Sequence, residues 1–327
     1  VPLGRVRRHA QSHDGPTPYL LGDLNVIGAK LARLQTALPG VMPHYAMKAN
    51  PDARVVARLQ RLGVGFEVAS IHELRQLLGQ GVAPKRVIFS NPIKPLAAIA
   101  EAHAHGVTTM VVDCLDEVQK SAAVSGDIEQ CLRLETVNTG SDWPLTGKFG
   151  ASTAEALAVI DYCARHGVAL TGLTFHVGSQ CRNAENWHTG VVSATLLFER
   201  MRQVGLSPSL LNLGGGFPVQ HTRPMPSIEA IGETVMGALA AIDSRIRVVC
   251  EPGRDLVGDS CWMVTEVVGV ATRNGRRWVY LDVGAFTGLT ETLAQFDYEL
   301  FTDCPDPASL IPTTVAGPTC DTADLLF

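Results

Sequence analysis

The stretch His44-Tyr45-Ala46-Met47-Lys48-Ala49-Asn50-Pro51 decides how the rest of the chain is read. Val41, Met42, Tyr45 and Met47 give it the apolar character of a strand, and a lysine stands near the strand's end. Asn50 and Pro51 then read as an N-cap and a first helical position. A lysine on such a strand-to-helix corner either faces solvent or projects into a site. Its neighbours alone leave both open.

Working outward, an irregular lead is expected over residues 1 to 23, then a helix over 24–38. Eight apolar strands follow, at 41–49, 64–70, 86–90, 108–113, 131–136, 170–177, 210–213 and 247–251. Helical spacing appears between them, as in Val55, Leu59 and Leu62, or Ile228, Ile231, Val235, Leu239 and Ile242. Ser152 and Glu155 form a capping box before Leu157 and Ile160. Strands alternating with helices imply a parallel sheet. Eight of them in about 240 residues fit a closed (β/α)8 barrel of the TIM type. An open doubly wound sheet is the competitor, but no Gly-x-Gly-x-x-Gly opens the first unit.

Beyond residue 260 the pattern becomes β-rich, at 262–270, 277–283 and 313–316, with Asn274-Gly275 as a hairpin turn. The expected organisation is a barrel over 24–260 and a β domain from 1–23 and 261–327. That β domain reads as unfinished at Phe327, and a chain opening on Val1 reads as trimmed.

Composition narrows the function. The 327 residues are 46% hydrophobic and 18% charged, enough for a large core. A net charge of −5, with Arg5-Val6-Arg7-Arg8 the one short basic run, argues against nucleic acid and anionic membrane surfaces as partners. No apolar run is long enough for a membrane span and no secretory pattern opens the chain. The 8 cysteines, from Cys114 to Cys320, include no CxxC pair, so a metal or redox cluster is not expected and a cytoplasmic setting is. His103 and His105 bracket one residue of a predicted helix and so point to different faces, as surface histidines do.

In a barrel, catalytic groups gather at the C-terminal ends of the strands. The unusual residues fall there: Lys48, Glu67 and Ser70, Asn91, His176-Val177-Gly178-Ser179, Gly214-Gly215-Gly216 and Glu251-Pro252-Gly253-Arg254. Three glycines after a buried strand let backbone N–H groups approach an anion, and Ser179 and Arg254 add a hydroxyl and a fixed cation. A phosphate cradle with a Schiff-base lysine suggests pyridoxal 5'-phosphate. Glu251 is the candidate for its pyridine nitrogen and His176 for its ring face.

These residues carry a resemblance to the fold-type III, alanine-racemase-like pyridoxal phosphate decarboxylases, most closely the bacterial ornithine/lysine decarboxylase group. It runs through Tyr45–Asn50, Phe66–Ser70, Phe89–Lys94, Lys148-Phe149-Gly150 and His176–Ser179, then Gly214–Pro218, Glu251–Arg254 and Gly317–Asp321, in family order. It implies that Lys48 holds the cofactor covalently and that His176 stacks on its ring. Ser179, Gly214, Gly215, Gly216, Gly253 and Arg254 would hold the phosphate end, and Glu251 the ring nitrogen. It further implies that Cys320 returns the proton after carbon dioxide leaves and that Asp321 binds the substrate's distal amine. Both would act on the partner's cofactor in a head-to-tail homodimer. Asp282 is a substrate-binding candidate, one position from the acid of the animal-type enzymes, and Glu67 stands where those have aspartate.

The resulting expectation is decarboxylation of a basic amino acid, L-ornithine to putrescine or L-lysine to cadaverine. One methylene separates the two, and the sequence does not choose between them. Diaminopimelate- or arginine-type decarboxylation, racemisation, and a non-catalytic relative that binds the cofactor or a protein are the alternatives.

Overall fold

A computed structural model describes residues 2–145, 147–302 and 309–327. Its contacts divide the chain into two units: one of Leu24–Val219 with Met225–Gly258, the other of Val1–Asp23, Gln220–Pro224 and Asp259–Phe327.

In chain order, α1 (Leu3–Ser12) and β1 (Tyr19–Gly22) come first. The barrel unit then runs α2 (Leu24–Ala37), β2 (Met42–Ala46), α3 (Ala53–Arg61), β3 (Gly65–Val68), α4 (Ile71–Gly79), β4 (Val87–Phe89), α5 (Leu96–Ala104) and β5 (Thr109–Val112). It continues through α6 (Leu115–Val124), β6 (Glu129–Leu134), β7 (Ser141–Trp143), α7 (Thr153–His166), β8 (Leu170–Phe175) and β9 (Ser179–Cys181). The last part is α8 (Glu185–Gln203), β10 (Leu210–Asn212), α9 (Ile228–Leu239), β11 (Arg247–Cys250) and α10 (Arg254–Val257). Strands β2, β3, β4, β5, β6, β8, β10 and β11 close into a barrel in that order, with β11 back against β2. Every neighbouring pair is parallel. The expected eight strands are all present, most of them one to three residues shorter than read.

The apolar helix faces explain why the helices pack around the barrel. Val55 and Leu59 are buried on α3, and Ile231 and Val235 on α9, while Leu62 ends its helix exposed. The capping box is present: Ser152 Oγ accepts from the Glu155 amide and Glu155 from the Ser152 amide. His103 sits at the surface, its Nε2 2.8 Å from Asp127 Oδ1.

Inside the barrel a second, separate apolar cluster joins Ile88, Val111, Cys131, Leu210 and Val249, one from each of five strands. Gly172 belongs to this level, because a Cβ there would lie 3.0 Å from Cys131 Sγ and 3.1 Å from Leu210 Cβ. Side chains two apart share a face of a strand. The next level toward the C-terminal ends is therefore Ser90, Asp113, Arg133, Thr174, Asn212 and Glu251, which is polar throughout. Residues of one apolar level thus carry a charged level above them.

Lys94 braces this end of the barrel. Its ammonium is buried and donates to the carbonyls of Asn91 (2.9 Å), Pro92 (3.2 Å) and Val111. Burial pulls its pKa down to about 8. Lys94→Met leaves these carbonyls without that donor, and we expect a loss of about 2–4 kcal/mol, read as a lower midpoint in urea.

The other unit contains β1 paired antiparallel with β12 (Cys261–Val264), and a sheet of β13 (Val267–Arg273), β14 (Arg276–Leu281) and β15 (Thr313–Ala316). Asn274 and Gly275, at φ +51° and +74°, make the β13–β14 turn. Leu281, Val283, Ala285 and Leu326 form its core. Two readings of the sequence are corrected here. The lead is not irregular: α1 escaped notice because its face is polar and only Val6 is buried. The segment read as one strand over 262–270 is two, interrupted at Thr265-Glu266, where Asp282 Oδ1 accepts from the Thr265 hydroxyl and the Glu266 amide (3.1 Å). Among the described residues no helix is long and apolar enough to cross a membrane, and no group of three or more ligand residues could hold a metal ion.

Candidate active site

The corner after β2 differs from its sequence reading. Met47–Ala49 is a turn of 3-10 helix, so Lys48 leaves the barrel one turn before the true helix begins. Asp52, not Asn50, caps α3 by accepting from the Arg54 amide. Asn50 Oδ1 instead accepts from the Asp52 amide at 3.1 Å and closes the turn ahead of it, which leaves Pro51 outside the helix. Ser70 is likewise a cap rather than a strand end: its hydroxyl accepts from the Glu73 amide and opens α4.

Lys48 Nζ lies 3.9 Å from Glu67 Oε2, with the lysine side chain 60% exposed and the glutamate 2%. That oxygen is buried and makes no hydrogen bond among the described residues. Burial, offset by Lys48, pushes the Glu67 carboxyl up to about 7. Glu67 in turn raises the Lys48 amine above its ordinary value. A folded state that binds a proton more tightly than the unfolded chain is favoured below the ordinary carboxyl value near 4.5 and loses that advantage as pH rises through about 7. Glu67→Gln cannot ionise. We therefore expect it to melt about 2–8 °C above the parent at pH 8 and level with it at pH 4, in paired thermal scans.

Glu251 belongs to the polar inner level and ends β11, the strand that pairs with β2 on the side away from β3. Its Oε1 accepts from Ser90 Oγ at 2.6 Å and from Asn212 Nδ2 at 2.7 Å. Both bonds end on one oxygen, so Oε2 makes no hydrogen bond among the described residues. Asn212 Oδ1 also accepts from the Gly214 amide at 2.9 Å, which ties this acid to the glycine turn. That turn requires glycine: Gly214 and Gly216 have φ +64° and +95°, and a Cβ would stand 2.1 Å from Phe175 O and 2.3 Å from Gly178 O.

His176 lies across the turn, where a Cβ on Gly215 would be 3.1 Å from its Nε2. Its Nδ1 accepts from the Gly178 amide at 3.1 Å, which puts the ring proton on Nε2. Burial, with Arg133 and Lys48 adding like charge, holds its pKa well below the ordinary value, so the imidazole is neutral. Ser179 begins β9, whose Cys181 amide donates to Gly216 O at 3.0 Å. Gly253 and Arg254 follow Glu251, and the Arg254 guanidinium carbon lies 5.0 Å from the centre of the Trp143 ring.

The structure thus brings Lys48, Glu67, His176, Ser179, Gly214–Gly216, Glu251, Gly253 and Arg254 to one end of one barrel. Sequence reading missed Ser90, Asp113, Arg133 and Asn212. The signal was present, since each stands two residues beyond an apolar inner residue, but it becomes visible only once the barrel is closed. Asp113 Oδ2 accepts from the Gly150 amide at 3.1 Å, and Arg133 lies 5.4 Å over the Phe149 ring, which seats Lys148-Phe149-Gly150 in the site.

Cys320, Asp321 and Asp282 belong to the other unit. Cys320 and Asp321 are exposed on the loop after β15. Asp324 shapes that loop, accepting from Ala285 N (2.8 Å), Thr319 N (3.0 Å) and Thr319 Oγ1 (2.7 Å). Asp321 Oδ1 accepts from the Ala323 amide at 2.8 Å. Asp282, as above, is engaged within its own sheet.

The barrel end offers an amine beside a buried carboxylate oxygen that makes no hydrogen bond among the described residues, a second carboxylate with one oxygen unused, a neutral imidazole face, and a glycine turn flanked by Ser179 and Arg254. This set fits pyridoxal 5'-phosphate, a planar ring with a carbonyl, a basic nitrogen and a dianionic arm. Comparison with known proteins agrees. Residues 24–258 match the family model of the pyridoxal-dependent decarboxylase pyridoxal binding domain. The lysine/ornithine decarboxylase of Selenomonas ruminantium is 30% identical over 316 residues, covering 95% of this chain and 79% of that protein. The crystal structure of lysine/ornithine decarboxylase complexed with putrescine from Vibrio vulnificus superposes with TM-score 0.90 at 32% identity, covering 99% of this chain and 86% of that one. That of SrLDC in complex with PLP and cadaverine gives TM-score 0.90 at 28% identity, covering 100% and 83%. With its matched domain spanning the whole barrel and its cofactor-shaped residues at the barrel's C-terminal end, the chain belongs to the pyridoxal-dependent decarboxylases.

Proposed function

We propose that this chain decarboxylates a basic amino acid, L-ornithine or L-lysine. The observation that carries it is the Lys48 amine 3.9 Å from the buried Glu67 oxygen, in the same barrel end as Glu251 and the glycine turn. The similarity to enzymes named for lysine and ornithine supports the substrate class. Pyridoxal phosphate, when bound, supplies the sink for the electron pair left behind as the carboxylate departs.

The chain's own residues do the rest. Lys48 would hold the cofactor covalently through its Nζ. Ser179, Gly214–Gly216, Gly253 and Arg254 hold the phosphate. Glu251 would keep a proton on the ring nitrogen, and neutral His176 would cover the ring without adding charge. Cys320 Sγ delivers a proton to the carbon that lost its carboxylate. Asp321, exposed on the loop after β15, would take the distal ammonium.

In this reading Cys320 and Asp321 serve the site of a second copy, in a head-to-tail homodimer. Mixing inactive Lys48→Ala with inactive Cys320→Ala then restores about one quarter of parental activity, because half of the dimers are mixed and each of these holds one intact site. No recovery after confirmed subunit exchange would mean that the sites are not shared. The function itself is tested by incubating the holoenzyme separately with ornithine, lysine, arginine and diaminopimelate. Putrescine or cadaverine with equimolar carbon dioxide is expected. An inverted amino acid, or no product from any of the four, contradicts the proposal.

A further inference from the structure

The segment that carries Trp143 is fastened to the phosphate end of the site along its whole length. β7 pairs antiparallel with β9, with Trp143 opposite Ser179 and Ser141 opposite Cys181. Ser141 Oγ donates to Val177 O at 2.6 Å, and Asn186 Nδ2 to Thr139 O at 2.9 Å. The Arg182 amide donates to Gly140 O at 3.1 Å, and its guanidinium pairs with Asp142 at 3.0 Å. β9 in turn holds Gly216 through the Cys181 amide. The indole is therefore delivered to Arg254 by a scaffold that also carries Ser179 and touches the glycine turn.

We propose that Trp143 is a positioning residue for the cofactor phosphate, acting through Arg254. This rests on the proposed role of Arg254 in holding that phosphate. The ring centre lies 5.0 Å from the guanidinium carbon, within cation–π range. Such an interaction uses the face of the guanidinium and consumes none of its five in-plane N–H donors, the groups a phosphate needs. A carboxylate in the same place would fix the arginine equally well but would neutralise it and occupy its fork. An indole restrains the long side chain through the face of its guanidinium, which reduces what binding must order.

The test uses the holoenzyme dialysed against graded pyridoxal phosphate, with retained cofactor read from its visible absorbance. Trp143→Ala is expected to raise the dissociation constant about 3- to 10-fold, and Trp143→Phe, which keeps a ring face, less than about 2-fold. Affinity for pyridoxal, which has no phosphate, is expected to be the same in Trp143→Ala as in the parent, and this separates a phosphate effect from misfolding. In an Arg254→Met background, Trp143→Ala is expected to add nothing. If Arg254→Met weakens the cofactor and Trp143→Ala does not, or if the two effects add, Trp143 does not act through Arg254. Weakened pyridoxal affinity in Trp143→Ala also overturns the proposal. If Arg254→Met binds the phosphate form as tightly as the parent, the phosphate assignment itself fails.

Discussion

Lys48→Ala is expected to lose covalent cofactor attachment and to lower kcat by about 10²–10⁴-fold or more. The barrel end has other cations, but none is equivalent. Lys148 Nζ lies 4.9 Å over the Phe149 ring. Arg133 and Arg254 cannot act as amines. Lys94 is committed to backbone carbonyls and buried. The lysine at the mouth is the one whose amine meets the buried oxygen of Glu67. Folding should survive the change, because the side chain is 60% exposed. Visible absorbance shows attachment, and steady-state kinetics show the loss. Parental kcat in Lys48→Ala would remove the lysine from the chemistry.

Glu251→Ala is expected to separate catalysis from cofactor binding. The phosphate is assigned to the glycine turn, Ser179 and Arg254, so cofactor affinity should fall less than about tenfold. By contrast, kcat should fall about 10²–10³-fold, the usual effect of removing one preorganised electrostatic group. The reason is geometric. Ser90 and Asn212 both bond Oε1 and fix the carboxylate so that Oε2 is left for the ring nitrogen. Glu251→Asp keeps the charge but draws it back by one methylene, and an intermediate kcat is expected. A proportional loss of affinity and kcat in Glu251→Ala would instead assign the acid to binding alone.

The barrel was legible in the sequence because buried parallel strands are short apolar runs, and eight of them separated by helices permit few other architectures. Lys48, the glycine turn and Glu251-Pro252-Gly253-Arg254 were legible because polar and glycine residues at the ends of apolar runs are unusual. What was lost has physical causes too. α1 is polar on most of its surface, with Val6 its buried residue. β7 and β9 have three residues each, too few for any period. Asn50 reads as a helix cap because it precedes proline, but the 3-10 turn around Lys48 shifts the cap to Asp52. Arg133 and Asn212 lie within strands and look like interruptions of an apolar run. They acquire meaning only when closure turns the inner faces of eight strands into levels. Asp324 gave no signal beside Cys320 and Asp321, although three hydrogen bonds make it the anchor of their loop.

The central claim is that the strand ends assemble one cofactor site around Lys48. Borohydride reduction of the holoenzyme, followed by mass mapping of its peptides, tests it most directly. One pyridoxyl phosphate adduct per chain is expected, on the peptide that contains Lys48. An adduct on any other lysine, or none on a chain with the cofactor bound, would contradict it.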